Sequence, residues 1–467
     1  MIVNVTAADW SAVLPIVVVA VAALAVLFAD LLAPTSVPRY VGITIAALGT
    51  IAAAVLLAQQ YGTHASAFGG AFVVDDASVL FAGVILLGTL GSIVLYGRLG
   101  AARRIAPSLA LMLWSACGAM LMAGAANLMT IFLGLELLSL ALYTLCGMAD
   151  RAGARESALK YLILSSTASG FLLYGMGLLF GATGNVALAS LLAPSLAADP
   201  LFWIGVGLFF VGIAFKLSLV PFHTWAPDVY EGAPLPVTAF MSVVTKAGVL
   251  AVLARVFLWS LPAGDGSALL LPVWIVAGLS MIVGNVGMLA QRDLKRMLAY
   301  SGIAQIGYVL AALAGADAQG FNAALYYFTA YSLMNLGAFA VAALLSSDRE
   351  EGSQLANFAG LGFRRPWAAF AMTIFLLAMA GLPPTAGFLG KILILRASVA
   401  TGYAWLGALL VIGTAISLYA YGRVVRTMYD REPRAVRDAR PTAPLAALSA
   451  AICAIVVIVL TFYPFTR

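Results

Sequence analysis

The sequence predicts an all-α polytopic membrane protein with about fourteen transmembrane helices, in which helices 7 and 12 are broken and two inverted five-helix repeats are embedded. Three observations carry this. Of the 467 residues, 63% are hydrophobic and 9% charged, more apolar surface than a soluble domain can cover with its polar shell. Apolar runs near the ~20 residues a helix needs to cross a bilayer fill almost the whole length. The few charges fall between those runs, and they alternate.

The runs lie at roughly 11–32, 40–59, 77–97, 106–124, 127–148, 157–181, 201–225, 236–259, 271–290, 297–314, 320–345, 367–399, 404–428 and 443–464. Connections are short, which leaves no room for an extramembrane domain. Loops after odd-numbered runs hold Arg39; Arg98, Arg103 and Arg104; Arg151 and Arg155; Arg292, Lys295 and Arg296; Arg349, Arg364 and Arg365; and Arg423, Arg426, Arg431, Arg434, Arg437 and Arg440. Loops after even-numbered runs hold His64, Asp75, Asp76, Asp199, Asp265 and Asp317, with only Arg255 and Arg396 at their edges. The positive-inside rule therefore predicts cytoplasmic odd loops and both termini on the opposite side. It also accounts for the net charge of +6 without a nucleic-acid partner. Residues 1–38 contain no Lys or Arg, so the basic region of a cleavable signal is missing. Cys117, Cys146 and Cys453 lie inside apolar runs without paired spacing and read as small hydrophobes.

The seventh run contains Phe215-Lys216-Leu217-Ser218-Leu219-Val220-Pro221-Phe222-His223. Pro221 lacks an N–H, and its ring clashes with the carbonyl four residues back, so the helix is expected to break one turn beyond a lysine at membrane depth. The twelfth run repeats the theme with Gly381-Leu382-Pro383-Pro384 followed by Lys391. Each break is the fourth element of a five-helix stretch. Because five is odd, the second stretch enters from the opposite side, and paired broken helices in corresponding positions point to a transport site. The expected division is a three-helix prefix (1–105), a first repeat (106–260), a second, inverted repeat (261–440) and a last helix (441–467).

Few ionisable residues fall inside the runs: Glu136, Lys160, Lys216, Lys246 and Lys391. Each central charge costs about 2.5–3.5 kcal/mol on the insertion scale, which a purely structural bundle has little reason to bear. Glu136 is expected to pair with Lys216 across helices, since a carboxylate raises the proton affinity of an amine that burial lowers. Lys160 follows Glu156 by four residues, so an edge ion pair competes with a role in proton transfer. Lys246 is mid-run among small residues, and Lys391 follows its break by two turns beside Gly387 and Gly390. His223, directly after Pro221, has the ordinary pKa of a proton relay. Ser301, Gln305, Tyr308, Tyr331, Ser332 and Asn335 are further polar candidates for a water chain, although helix packing uses the same types. Walker and dinucleotide loops are absent, as are Cys or His clusters, so no redox chemistry is expected in this chain.

The block from Phe215 through Trp225-Ala226-Pro227-Asp228-Val229-Tyr230-Glu231-Gly232-Ala233-Pro234 resembles the antiporter-like subunits of respiratory complex I. So do Asp293-Leu294-Lys295-Arg296-Met297-Leu298-Ala299-Tyr300-Ser301 and the Gly-Leu-Pro-Pro break with Lys391. The resemblance covers essentially the whole chain. Lys391 stands where the M-type has Glu, and the L-type's long lateral helix is not expected here, so the N-type of NADH-quinone oxidoreductase is the nearest form. The resemblance implies a mid-membrane line of charges to which Glu136, Lys216, Lys246 and Lys391 correspond, with Lys160 beside them. It also implies proton translocation in a bacterial inner membrane, driven by quinone reduction elsewhere. NADH, FMN, iron–sulfur clusters and quinone would then sit on partner subunits and none in this chain. The expected partners are a neighbouring antiporter-like subunit, small membrane subunits, lipid and protons. A cation/proton antiporter or membrane-bound hydrogenase subunit and a non-conducting scaffold are the competing expectations.

Overall fold

The computed structural model describes residues 5–33, 39–97, 105–149, 152–259, 271–315, 317–346, 352–431 and 444–462. Of the loop charges named above, Arg98, Arg103, Arg104, Arg151, Asp265, Arg349, Arg434, Arg437 and Arg440 lie outside these residues. The chain forms two compact units. The first comprises 1–93, 101–217 and 232–271, and the second 94–100, 218–231 and 272–467.

In the first unit α1 (Ala7–Leu32), α2 (Arg39–Gln59), α3 (Asp76–Leu95), α4 (Ile105–Ala123), α5 (Leu128–Gly147), α6 (Ala152–Thr183) and α7 (Pro200–Leu217) follow one another. A short α8 (Trp225–Gly232) lies almost wholly in the second unit. The first unit resumes with α9 (Leu235–Phe240), a π-helical turn (Met241–Thr245) and α10 (Lys246–Trp259). The second holds α11 (Leu271–Leu289), α12 (Leu294–Leu313), α13 (Ala318–Leu345), α14 (Leu361–Arg364), α15 (Pro366–Ala380), α16 (Ala386–Ala400), α17 (Ala404–Met428) and α18 (Pro444–Phe462). Among the described residues twelve helices are long and apolar enough to span a membrane. The tenth expected span, α12, is missing from the twelve despite its length, and the twelfth is divided between α15 and α16. With those two, the helices fall at all fourteen expected places.

Short backbone ladders tie together loops of one parity. In the first unit β1 (Ala65–Ala67) pairs antiparallel with β2 (Phe72–Val74), both in the loop after α2. Val73 N donates to the Gly124 carbonyl at 2.8 Å, and Leu128 N to that of Val186 at 2.8 Å. The loops after the second, fourth and sixth spans thus share one side. In the second unit the loops after the ninth and eleventh spans are joined by Leu294 N to Ser353 O at 2.7 Å and Leu355 N to Arg292 O at 2.9 Å. Arg423, near the end of the thirteenth, caps the carbonyls of Leu289 and Gln291 at 2.6 and 2.9 Å. Within each unit the parity read from charge is the parity of the fold.

The even-loop side of the first unit is also held by charge. Arg255 grips both oxygens of Asp75 at 2.9 and 2.7 Å and donates Nε to the Ala123 carbonyl at 2.9 Å. Burial pushes the Asp75 carboxyl up, but the Arg255 guanidinium, with Ser78, more than offsets this and holds it below the usual carboxylate range. A carboxyl depressed in the folded state contributes stability above its unfolded pKa and loses it as pH falls through the folded value. Thermal melts in detergent are therefore expected to weaken below about pH 4. Asp75→Asn should remove that acid sensitivity and lower stability by on the order of 1–3 kcal/mol at neutral pH, the range for an unmatched, partly buried charge. An Asp75→Asn melt that follows the parent across pH would show that the pair holds nothing.

Candidate functional site

Four lysines are buried among the described residues; Lys295 lies in the first turn of α12, while Lys216, Lys246 and Lys391 each meet irregular helical backbone. Lys216 is in the last turn of α7 and 2% exposed. Last-turn carbonyls lack intrahelical donors and carry the negative end of the macrodipole, which favours a cation there. The helix stops at Leu217, earlier than Pro221 itself, because the proline ring acts on the carbonyl four residues back. Ser218 follows with a φ of +60°, a region that non-glycine residues seldom occupy.

The Lys216 amine donates to Ser139 Oγ on α5 at 2.7 Å and to Ser165 Oγ on α6 at 2.6 Å. Tyr143 donates to the same Ser165 at 2.7 Å. The Tyr143 and Tyr161 rings lie 5.6 and 5.1 Å from the amine, within cation–π range. Glu136, half-buried on α5, instead accepts from Ser169 Oγ at 2.6 Å. The direct Glu136–Lys216 pair expected from sequence is therefore corrected: the two groups are held by separate hydroxyls. The reason is positional. Glu136 and Ser139 are three residues apart on α5, and Ser165 and Ser169 four apart on α6, so each helix presents two polar groups one turn apart. Lys216 reaches the Ser139–Ser165 level and Glu136 the Ser169 level.

Lys160 lies lower on α6, paired with Glu156 at 2.8 Å, with side chains 42% and 65% exposed. This is the edge ion pair weighed above. Lys246 opens α10 directly after the π turn and is 2% exposed. Its amine has no hydrogen-bond or ion-pair partner among the described residues. Within the π turn the Thr245 hydroxyl bonds back to the Met241 carbonyl. Such turns mark functional places in helices. Met241-Ser242-Val243-Val244-Thr245 carries no Gly or Pro to announce one.

In the second unit α15 ends at Gly381, whose φ of +82° suits only glycine comfortably. Lys391, from the start of α16, donates to the Ala380 carbonyl at this end and to Thr414 Oγ1, both at 3.1 Å. Its amine lies 5.0 Å from the Tyr308 ring. Tyr308 in turn accepts from Asn285 Nδ2 at 2.7 Å. Ser301 shares a hydrogen bond with Tyr421 at 2.7 Å, and Tyr327 bonds Gln305. Buried Asn285 Oδ1, Gln305 Nε2 and Asn335 Oδ1 have no hydrogen-bond partner among the described residues, which suits groups that hold water. His223 lies half-buried in the connection between α7 and α8, also in the second unit, and its buried Nδ1 has no hydrogen-bond partner among the described residues. Sequence reading missed Ser165, Ser169, Tyr143, Tyr161, Asn285 and Thr414. The three- and four-residue spacings from Glu136 to Ser139 and from Ser165 to Ser169 were the available signal. The cysteines Cys117, Cys146 and Cys453 are buried and form no disulfide among the described residues.

A family model described as NADH:quinone oxidoreductase/Mrp antiporter, TM, matches residues 125–417. The chain belongs to this family. The match includes Glu136, Lys216, Lys246 and Lys391. The chain is 42% identical over 386 residues to NADH-quinone oxidoreductase subunit N 1 of Symbiobacterium thermophilum, covering 80% of this chain and 77% of that one. It is 39% identical over 434 residues to NADH-quinone oxidoreductase subunit N of Trichlorobacter lovleyi, covering 90% and 88%. Among solved structures, a chain of respiratory complex I from Thermus thermophilus superposes with a TM-score of 0.84 at 32% identity, over 96% of this chain and 97% of that one. Family membership places this multi-pass chain among membrane subunits of multisubunit complexes.

Proposed function

We propose that this chain is the N-type, proton-translocating membrane subunit of an NADH-quinone oxidoreductase in a bacterial inner membrane, with both termini on the periplasmic side. The observation that carries the reading is Lys216: an amine out of solvent, at the end of a broken helix, with hydroxyl partners and, among the described residues, no ion-paired carboxylate. A dry surrounding, a carboxylate nearby and a helix end act on an amine in opposite senses. These opposing influences leave the proton affinity open to small movements. A coupling of ~1–3 kcal/mol changes occupancy by one or two decades. Quinone reduction on partner subunits would change the field at Glu136, and Lys216 would take up or give up its proton in response. Lys246, His223 and Lys391 are the further groups assigned to hold the proton in turn, with Lys160 at the edge of α6. NADH, FMN, iron–sulfur clusters and quinone belong to the partner subunits in this reading.

The alternative within the family is a cation/proton antiporter subunit. Dehydrogenase genes beside this gene support the first reading, and small antiporter genes the second. The direct test is Glu136→Gln in the assembled complex. Proton translocation per electron in inverted vesicles is expected to fall about tenfold, the effect of about 1.4 kcal/mol. A normal ratio would remove the proposal.

A further inference from the structure

Resting on that reading, we infer that Ser165 and Ser169 of α6 are the positioning residues through which Glu136 and Lys216 are coupled. The observation is a two-level arrangement between α5 and α6. At one level Ser139 and Ser165 flank the Lys216 amine at 2.7 and 2.6 Å. At the other, Ser169 donates to Glu136 at 2.6 Å. On each helix the two levels are one turn apart, about 5–6 Å between Cβ atoms. α6 thus meets both groups with serines, Ser169 on the acid and Ser165 on the amine, while α5 carries the acid itself and meets the amine through Ser139.

Hydroxyls suit this position for a chemical reason. A serine accepts from an ammonium and can donate to the lone pair of a neutral amine, so Ser165 can serve Lys216 in both protonation states, while Ser139 gives its proton to the Leu135 carbonyl and accepts from the amine. A carboxylate touching the amine would stabilise only the cation and fix its charge. Ser169 holds the carboxylate at one turn's remove, where it influences Lys216 without capturing it. Ser165 also accepts from Tyr143 at 2.7 Å, which limits its rotation and keeps the α6 side of the amine site in register with Ser169. A small shift of α6 moves both hydroxyls together, so acid and amine respond to one displacement.

The test uses the assembled complex in inverted vesicles, with proton translocation per electron followed against pH. Ser169→Ala is expected to lower translocation about tenfold, the weight of one charge-assisted hydrogen bond, and to displace the pH profile in the same direction as Glu136→Gln. Ser169→Thr, which keeps the hydroxyl, restores both. In the Glu136→Gln background Ser169→Ala adds nothing, because the charge that Ser169 positions is gone. Ser165→Ala is expected to displace the profile as well. Effects of Ser169→Ala and Glu136→Gln that simply multiply, or a Ser169→Ala profile unmoved in pH, would overturn the coupling. If Ser169→Ala does not assemble, Ser169→Cys takes its place with the same two outcomes. Lys216→Met is measured alongside. If it translocates normally, the functional reading falls; if it is inactive while both serine variants behave as the parent, only the coupling falls.

Discussion

Replacing Lys216 with methionine is expected to abolish proton translocation, at least about tenfold below the parent, while the protein folds as well as before or better. The two halves have different physical origins. The amine is 2% exposed and meets hydroxyls and aromatic rings rather than an ion partner. Exchanging a buried charged side chain for an apolar one of similar volume is often neutral or stabilising, by up to a few kcal/mol. Folding therefore gains nothing from the ammonium, and its cost has to be accounted for by function. The measurement is a paired one: thermal stability in detergent, and protons moved per electron in vesicles. A variant that melts far below its parent would make Lys216 a structural element. One that keeps the parent's proton ratio would end the assignment of this lysine to transfer.

Gly387→Ala is expected to cost about 3 kcal/mol, the upper end of what overpacking costs in a rigid site, and to disable Lys391. A Cβ at this position would lie 1.8 Å from the Ala378 carbonyl oxygen and 3.1 Å from Met334. The first obstacle is backbone, so no rotamer change relieves it. α16 has to withdraw from the end of α15, and the 3.1 Å contact between the Lys391 amine and the Ala380 carbonyl opens with it. Gly170→Ala on α6 is the control, since nothing lies within 4 Å of its Cβ. There alanine should be neutral or stabilising by about 0.5–1 kcal/mol. Melting temperatures of the two variants check this directly, and equal melting temperatures would mean that α16 does not depend on close approach. The same substitution at two helical glycines thus has opposite expected signs, decided by what stands opposite.

Both breaks were legible because proline and glycine act on their own chain. Pro221 crowds the Leu217 carbonyl and offers it no donor, and α7 ends at Leu217, whereas Gly381 supplies the left-handed end of α15. The alternation of charge was legible for a similar reason. Crossing a bilayer reverses the side of the chain at each span, and the loop ladders join residues of like parity in each unit. The π turn before Lys246 was not legible. Its Val243-Val244-Thr245 run reads as ordinary buried helix, while in the fold Val243 and Val244 face Gly88 of α3.

By itself, the sequence determined that this is a helical membrane bundle, where its helices break, and that Lys216, Lys246, Lys391 and Glu136 lie inside it. Those properties follow from hydropathy, from prolines and glycines and from the rarity of charge in apolar runs, all of which are local. Only the tertiary structure decided what each charge meets. It put hydroxyls from α5 and α6 around Lys216 and Ser169 on Glu136, it left Lys160 on an exposed ion pair, and it set Lys391 against a backbone carbonyl. A side chain's partners depend on which faces of separate helices come together. That is settled by packing at positions such as Gly387, where a single missing methyl group lets two helix ends meet.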